Sequence, residues 1–120
     1  MRKVEKNILS FINSINAGKK YFSERDFLEK SKNGDFDFYL WQHLIFSKNG
    51  NNLMFSFRGY QTNTTKNRLN VLIGNYLKAC FCVNNYQLYY CYNGVKTPVD
   101  NTKSYKINLD TKELSIINNY

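Results

Sequence analysis

The apolar residues change their spacing near residue 36, and that change constrains the fold of this chain more than any other feature. Before it, Val4, Ile8, Phe11, Ile12 and Ile15 fall at the spacing of one face of a helix. After it, short aromatic and aliphatic runs are broken by Asn, Gly and Asp, the pattern of strands joined by tight turns. A helix over 3–17 is expected, stopped by Gly18, and a second short helix from Ser23, where Ser23 and Asp26 form an S-x-x-D cap and Asn33-Gly34 ends it.

Residues 36–46 read as β structure, 47–51 as a hairpin loop and 53–58 as its partner strand. In that strand Leu53, Phe55 and Phe57 point one way, and Met54, Ser56 and Arg58 the other. Thr62, Asn63, Thr64 and Thr65 form an N-cap region for a helix to about residue 77, with Leu69, Leu72, Ile73, Tyr76 and Leu77 on its apolar face. Runs at 79–83 and 86–92 flank a turn at Asn84-Asn85, and Asn93-Gly94 leads into 95–99. Tyr105, Ile107 and Leu109 then pair with Leu114 and Ile116. The reading is one α+β domain over 1–120: two N-terminal helices, a β-hairpin, a central helix and a C-terminal antiparallel β-meander forming one sheet.

The chain carries a formal charge of +8. No acid lies between Asp37 and Asp100, whereas Lys48, Arg58, Lys66, Arg68, Lys78 and Lys96 all fall there. A cationic centre of this kind attracts an anionic partner. Arg68 and Lys66 stand in the first turns of the central helix, where free N–H groups and cations together favour an anion. The residues expected to meet a partner or nucleic acid are Arg58, Tyr60, Lys66, Arg68, Lys78, Tyr89 and Lys96. Tyr89 enters because a two-residue turn at 84–85 puts Phe81, Val83, Leu88, Tyr90 and Tyr92 on the core face and leaves Tyr89 outside.

Catalysis finds little support. His43 is the sole histidine, the central region offers it no carboxylate, and Asp35 and Asp37 sit at a strand start. Cys80, Cys82 and Cys91 share a face in the expected hairpin, so three thiolates with His43 make a conceivable zinc set. The C-x-C spacing with one distant Cys is not the usual zinc pattern, and packed, reduced thiols are the expectation. We therefore expect no catalytic residues, no metal and no cofactor. No apolar run nears the ~20 residues of a membrane span. The charged start, Met1 to Lys6, leads into the helix with no apolar signal segment, so neither export nor a membrane partner is expected.

The string Gly59-Tyr60-x-Thr62-x-Thr64-Thr65-Lys66-x-Arg68-Leu69-Asn70 resembles a strand-to-helix pattern, G-[aromatic]-x-T-x-T-T-[KR]-x-R-[LMI]-N, of small phage and mobile-element proteins. The likeness spans roughly residues 53–100, and Asn63 stands where Pro is frequent in that pattern. It implies a phage or integrated-element origin and brings no catalytic residues. The functional expectation is a small non-enzymatic protein in the cytoplasm of a bacterial host that inhibits a defence nucleoprotein, in the concrete case a CRISPR-Cas effector or its guide RNA. The alternative is a phage accessory protein that binds RNA or single-stranded DNA directly.

Overall fold

The computed structural model describes residues 1–119, with side chains to residue 117. Its elements are α1 (Lys3–Ile12), β1 (Gly18–Tyr21), β2 (Asp26–Lys30), β3 (Phe36–Leu40), β4 (His43–Asn49), β5 (Asn52–Ser56), α2 (Asn63–Gly74), β6 (Ala79–Asn84), β7 (Gln87–Tyr92), β8 (Val95–Pro98), β9 (Lys103–Asn108) and β10 (Leu114–Asn119). The α+β class and antiparallel pairing agree with the sequence reading, but the strands form two sheets rather than one. Seven of them run in the order β1-β2-β3-β4-β5-β9-β10, and β6-β7-β8 stand apart. The split has a packing cause. After α2 the chain makes the small sheet first and only then returns to the free edge of β5, where Leu53 meets Ile107 and Phe55 meets Tyr105.

The second N-terminal helix is absent. The hydrogen bonds that suggested it do form: the N–H groups of Arg25 and Asp26 donate to Ser23 Oγ, and Ser23 Oγ donates to Asp26 Oδ2 at 2.6 Å. They close a hairpin loop instead, because Tyr21 pairs with Phe27 and Phe22 N donates to Asp26 O. Asp26, Leu28 and Lys30 then face inward with the period of two that a strand imposes. Helix α1 also stops short of residue 17. Lys30 Nζ donates to the carbonyls of Phe11 and Ser14 at 2.9 and 2.6 Å, a cation on the carbonyl end of a helix. Ile15, past that stop, is exposed.

The hairpin β6–β7 turns at Asn85-Tyr86, both at positive φ, rather than at Asn84-Asn85. Cys80 therefore pairs with Cys91 and Cys82 with Tyr89. A shift of two residues preserves which side chains share a face. Phe81, Leu88 and Tyr90 accordingly remain in the core, although Val83 at the strand end is exposed. They pack with Phe55 and Tyr105 of the large sheet and with Phe57 just past β5; Phe55 and Tyr105 stack at 5.2 Å and Phe57 is edge-on to Phe81 at 5.3 Å. Ile8 and Ile12 of α1 and Leu69, Leu72 and Ile73 of α2 complete the same cluster.

Arg68 is the main correction. It is not exposed for a partner; it is 1% accessible, among the largest fully buried side chains. Its Nε donates to Asp26 Oδ1 at 2.7 Å, its Nη2 to Asp26 Oδ2 at 3.3 Å and its Nη1 to Glu5 Oε2 at 3.0 Å. Glu5 also accepts from Arg2 N, and Asp26 from Ser23, so the carboxylates are held from both sides. Burial opposes the guanidinium charge, yet the bonds and charges of Asp26 and Glu5 hold its pKa above the ordinary arginine value. Removing one member of such a group strands buried charge and costs about 3–5 kcal/mol. Arg68→Ala should therefore lower unfolding stability in urea by about that much. Lys66→Ala, two residues away on a more exposed part of the same helix, should change it by less than about 0.5 kcal/mol.

Candidate functional site

The best-formed concavity lies between the β3–β4 turn and the start of α2. It measures about 400 Å³ and is lined by Leu40, Trp41, His43, Ile45, Phe57, Tyr60, Thr62, Thr64 and Thr65. Leu40, Ile45 and Phe57 are core residues and make its floor. Trp41 and Tyr60 are each 55% exposed and supply aromatic walls. His43 lies against Tyr60, with ring centroids 5.5 Å apart and planes tilted by 38°. A mostly apolar pocket with a few polar groups is the usual form of a small-group binding site.

Each wall is fixed by local chemistry. The 36–46 stretch is two strands, because a two-residue turn at Trp41-Gln42 pairs Leu40 with His43. Trp41 and Gln42 have φ of 49° and 68°, the left-handed region that such a turn demands and that Asn and Gly enter at least cost. Trp41 N donates to Arg25 O at 2.9 Å, which ties this turn to the β1–β2 loop. On the other side, Gly59 N donates to Asn101 O and Tyr60 N to Phe57 O. Gln61 Nε2 donates to Tyr86 O at 2.8 Å and Gln61 Oε1 accepts from Asn101. Thr62 is the N-cap of α2: its Oγ1 accepts from Thr65 N at 3.2 Å and lies 3.0 Å from Thr65 Oγ1.

The sequence-expected residues separate into three groups. Tyr60 belongs to the cavity and Lys66 follows its lining threonines on α2, whereas Arg58, two residues past β5, lines a separate concavity with Leu44, Met54 and Ser104. Tyr89 and Lys96 lie on the outer face of the small sheet, and Lys78 is exposed in the approach to it. Arg68 is inside. Lys48 is paired with Asp35 at 3.5 Å, so the acid-free centre of the sequence is not acid-free in space. Asp35 also accepts from Gly50 N, and Asp37 accepts from Ser47 Oγ at 2.6 Å; both brace strands, and neither lines the cavity with His43.

The three thiols do share the outer face of the small sheet, with Cys82 Sγ 3.0 Å from Cys91 Sγ. Burial, and then the neighbouring Cys82 and Cys80 thiols, push the Cys91 pKa up to about 12, which keeps it protonated and a poor nucleophile. Among the described residues no three His, Cys, Asp or Glu side chains come together as metal ligands, and His43 sits on the large sheet away from the thiols.

Sequence reasoning missed Trp41. A signal was present: an eleven-residue run at 36–46 is about twice a typical strand, so a turn inside it was due. Tyr86, 96% exposed at a hairpin tip, was assigned to a strand rather than to the turn.

Fold and cavity thus define a small α+β protein of antiparallel sheets with an aromatic pocket at a helix start. The chain belongs to the Kyanoviridae Gp96 protein family, a phage protein family, whose model matches residues 1–111. The match runs from α1 through β9, and β10 lies beyond it. No curated protein and no solved structure matches the chain.

The strained turn gives a direct test. Gln42→Gly should relieve a left-handed non-glycine position and stabilise the protein by about 1 kcal/mol in urea unfolding. A loss of stability would mean that the Gln42 side chain makes up for its backbone.

Proposed function

We propose that this phage protein acts by binding rather than by catalysis, and that its target is the single-stranded nucleic acid of a host nucleoprotein. A CRISPR-Cas effector with its guide RNA is the concrete case, and the outcome of binding is inhibition. The observation that carries the reading is the cavity, whose lining is aromatic and hydroxylic and contains neither a carboxylate nor a thiol. His43 has no second acid or base there with which to move a proton, so acid–base chemistry is poorly served. Aromatic walls in a protein of net charge +8 suit a strand whose bases are unstacked. Lys66 and Arg58, and Lys78 and Lys96 across the small sheet, are the cations proposed to meet phosphates.

The alternative, direct binding of RNA or single-stranded DNA without a host protein, uses the same cavity. The two separate by the substrate that suffices. Inhibition of a host effector in an interference assay, with co-purification that nuclease treatment abolishes, fits the first reading. Retention of naked strands in a mobility shift, with no effector captured, fits the second. In either case affinity should fall with salt, and Lys66→Ala should make the slope of log K against log salt shallower by about 0.7 if that lysine meets one phosphate. No shift of any strand, no captured effector and no protection would reject both.

A further inference from the structure

We infer that the cavity between the β3–β4 turn and α2 is a pocket for one unstacked nucleobase, held between Trp41 and the Tyr60–His43 pair. This rests on the nucleic-acid reading above and names what enters the site. The floor of Leu40, Ile45 and Phe57 excludes water from beneath a flat group. The walls are rings, two of them half exposed and turned to the opening, as a stacking site requires. The polar side chains of the lining include Thr64 and His43, short donors and acceptors suited to the edge of a base, while the Thr62 and Thr65 hydroxyls bond each other.

The same features turn away other occupants. A phosphate finds less here, because Thr65 N is already taken by Thr62 Oγ1 and the lining holds no Lys or Arg. A purely apolar side chain would leave the Thr64 hydroxyl and the His43 imidazole unmet. The cations lie outside the cavity: Lys66 follows the lining threonines on α2, whereas Arg25, whose carbonyl accepts from Trp41 N, is paired with Asp26 at 3.8 Å. A base can thus enter while its phosphates stay where charge is available.

Trp41 is the one tryptophan of the sequence, so its fluorescence reports on this pocket alone. The protein would be titrated with a short single-stranded RNA and with the same strand made abasic, which keeps the phosphates and removes the bases. Saturable quenching of Trp41 by the intact strand, and binding of the abasic strand weaker by about 5- to 150-fold, are expected. Tyr60→Ala should weaken the intact strand by a similar factor in anisotropy of a labelled RNA, while Trp41→Phe, which keeps a ring, should weaken it less than Trp41→Ala. Circular dichroism would confirm that each variant is folded. If both strands bind alike and Trp41 is silent, the base pocket is wrong while nucleic-acid binding stands. If neither binds, the base pocket and direct strand binding are both wrong, and only capture of the effector could keep the host-nucleoprotein reading.

Discussion

The buried guanidinium of Arg68 holds together parts of the chain that local pairing leaves apart. Glu5 is on α1, Asp26 starts β2 and Arg68 is on α2, so one side chain joins three elements separated by 42 and 63 residues. A hydrophobic contact at the same place would be non-directional and would tolerate rotation of the helix. The guanidinium fork accepts only an arrangement in which both carboxylates lie in its plane at bonding distance. Desolvating three charges is costly, and the cost is met only while all three stay bonded.

Cavity geometry follows from that lock. Asp26 adjoins Arg25, whose carbonyl holds the Trp41 turn, and Arg68 is less than two turns of helix beyond the Thr62 cap. The two sides of the pocket are therefore referenced to one ion group. On the far side of Arg68, Leu69 enters the core, and Asn70 bonds both the N–H and the carbonyl of Phe81, which sets the small sheet against α2. The Gly59–Asn70 string that resembles a phage-protein pattern is thus largely a folding device: a cap, an ion lock, a core residue and a strand clamp in succession. Tyr60, Thr64 and Lys66 are the members of that string whose side chains are not spent on holding the fold.

What could be read from the sequence follows how local each determinant is. The α2 cap and its apolar face depend on residues within one helix, and both were legible, the cap as a cluster over Thr62–Thr65 and the face at Leu69, Leu72 and Ile73. The core face of β6 and β7 was legible even though the turn was placed one residue early, because this shifts the pairing by two and alternation survives an even shift. The Ser23–Asp26 bonds were also legible, but their consequence was not. The same bonds serve a helix start or a tight loop, and the choice was made by Arg68, 42 residues away. The burial of Arg68 itself left no trace in composition, since charge counted along a chain ignores which acids the fold brings near. Trp41 was hidden because a bulky residue in a left-handed turn runs against turn propensity, and only the length of the run betrayed it.

Taking Arg68 out of the surface changes how the remaining charge can act. The net +8 still sets the sign of the long-range field, which speeds encounter with a polyanion. Contact is another matter. With Arg68 neutralised inside and Lys48 shared with Asp35, the cations near the cavity are few and belong to separate elements. For the nucleic-acid reading proposed above, cations so few and so separated give a shallow salt dependence, and stacking has to supply the rest of the affinity. Stacking of a planar group meets that requirement, because its strength depends on ring area excluded from water and is little changed by salt. The strained placement of the lone tryptophan at the mouth of the pocket is then intelligible. A turn residue chosen for the fold alone would have been Asn or Gly, and a tryptophan there presents a large rigid ring where a base would need one.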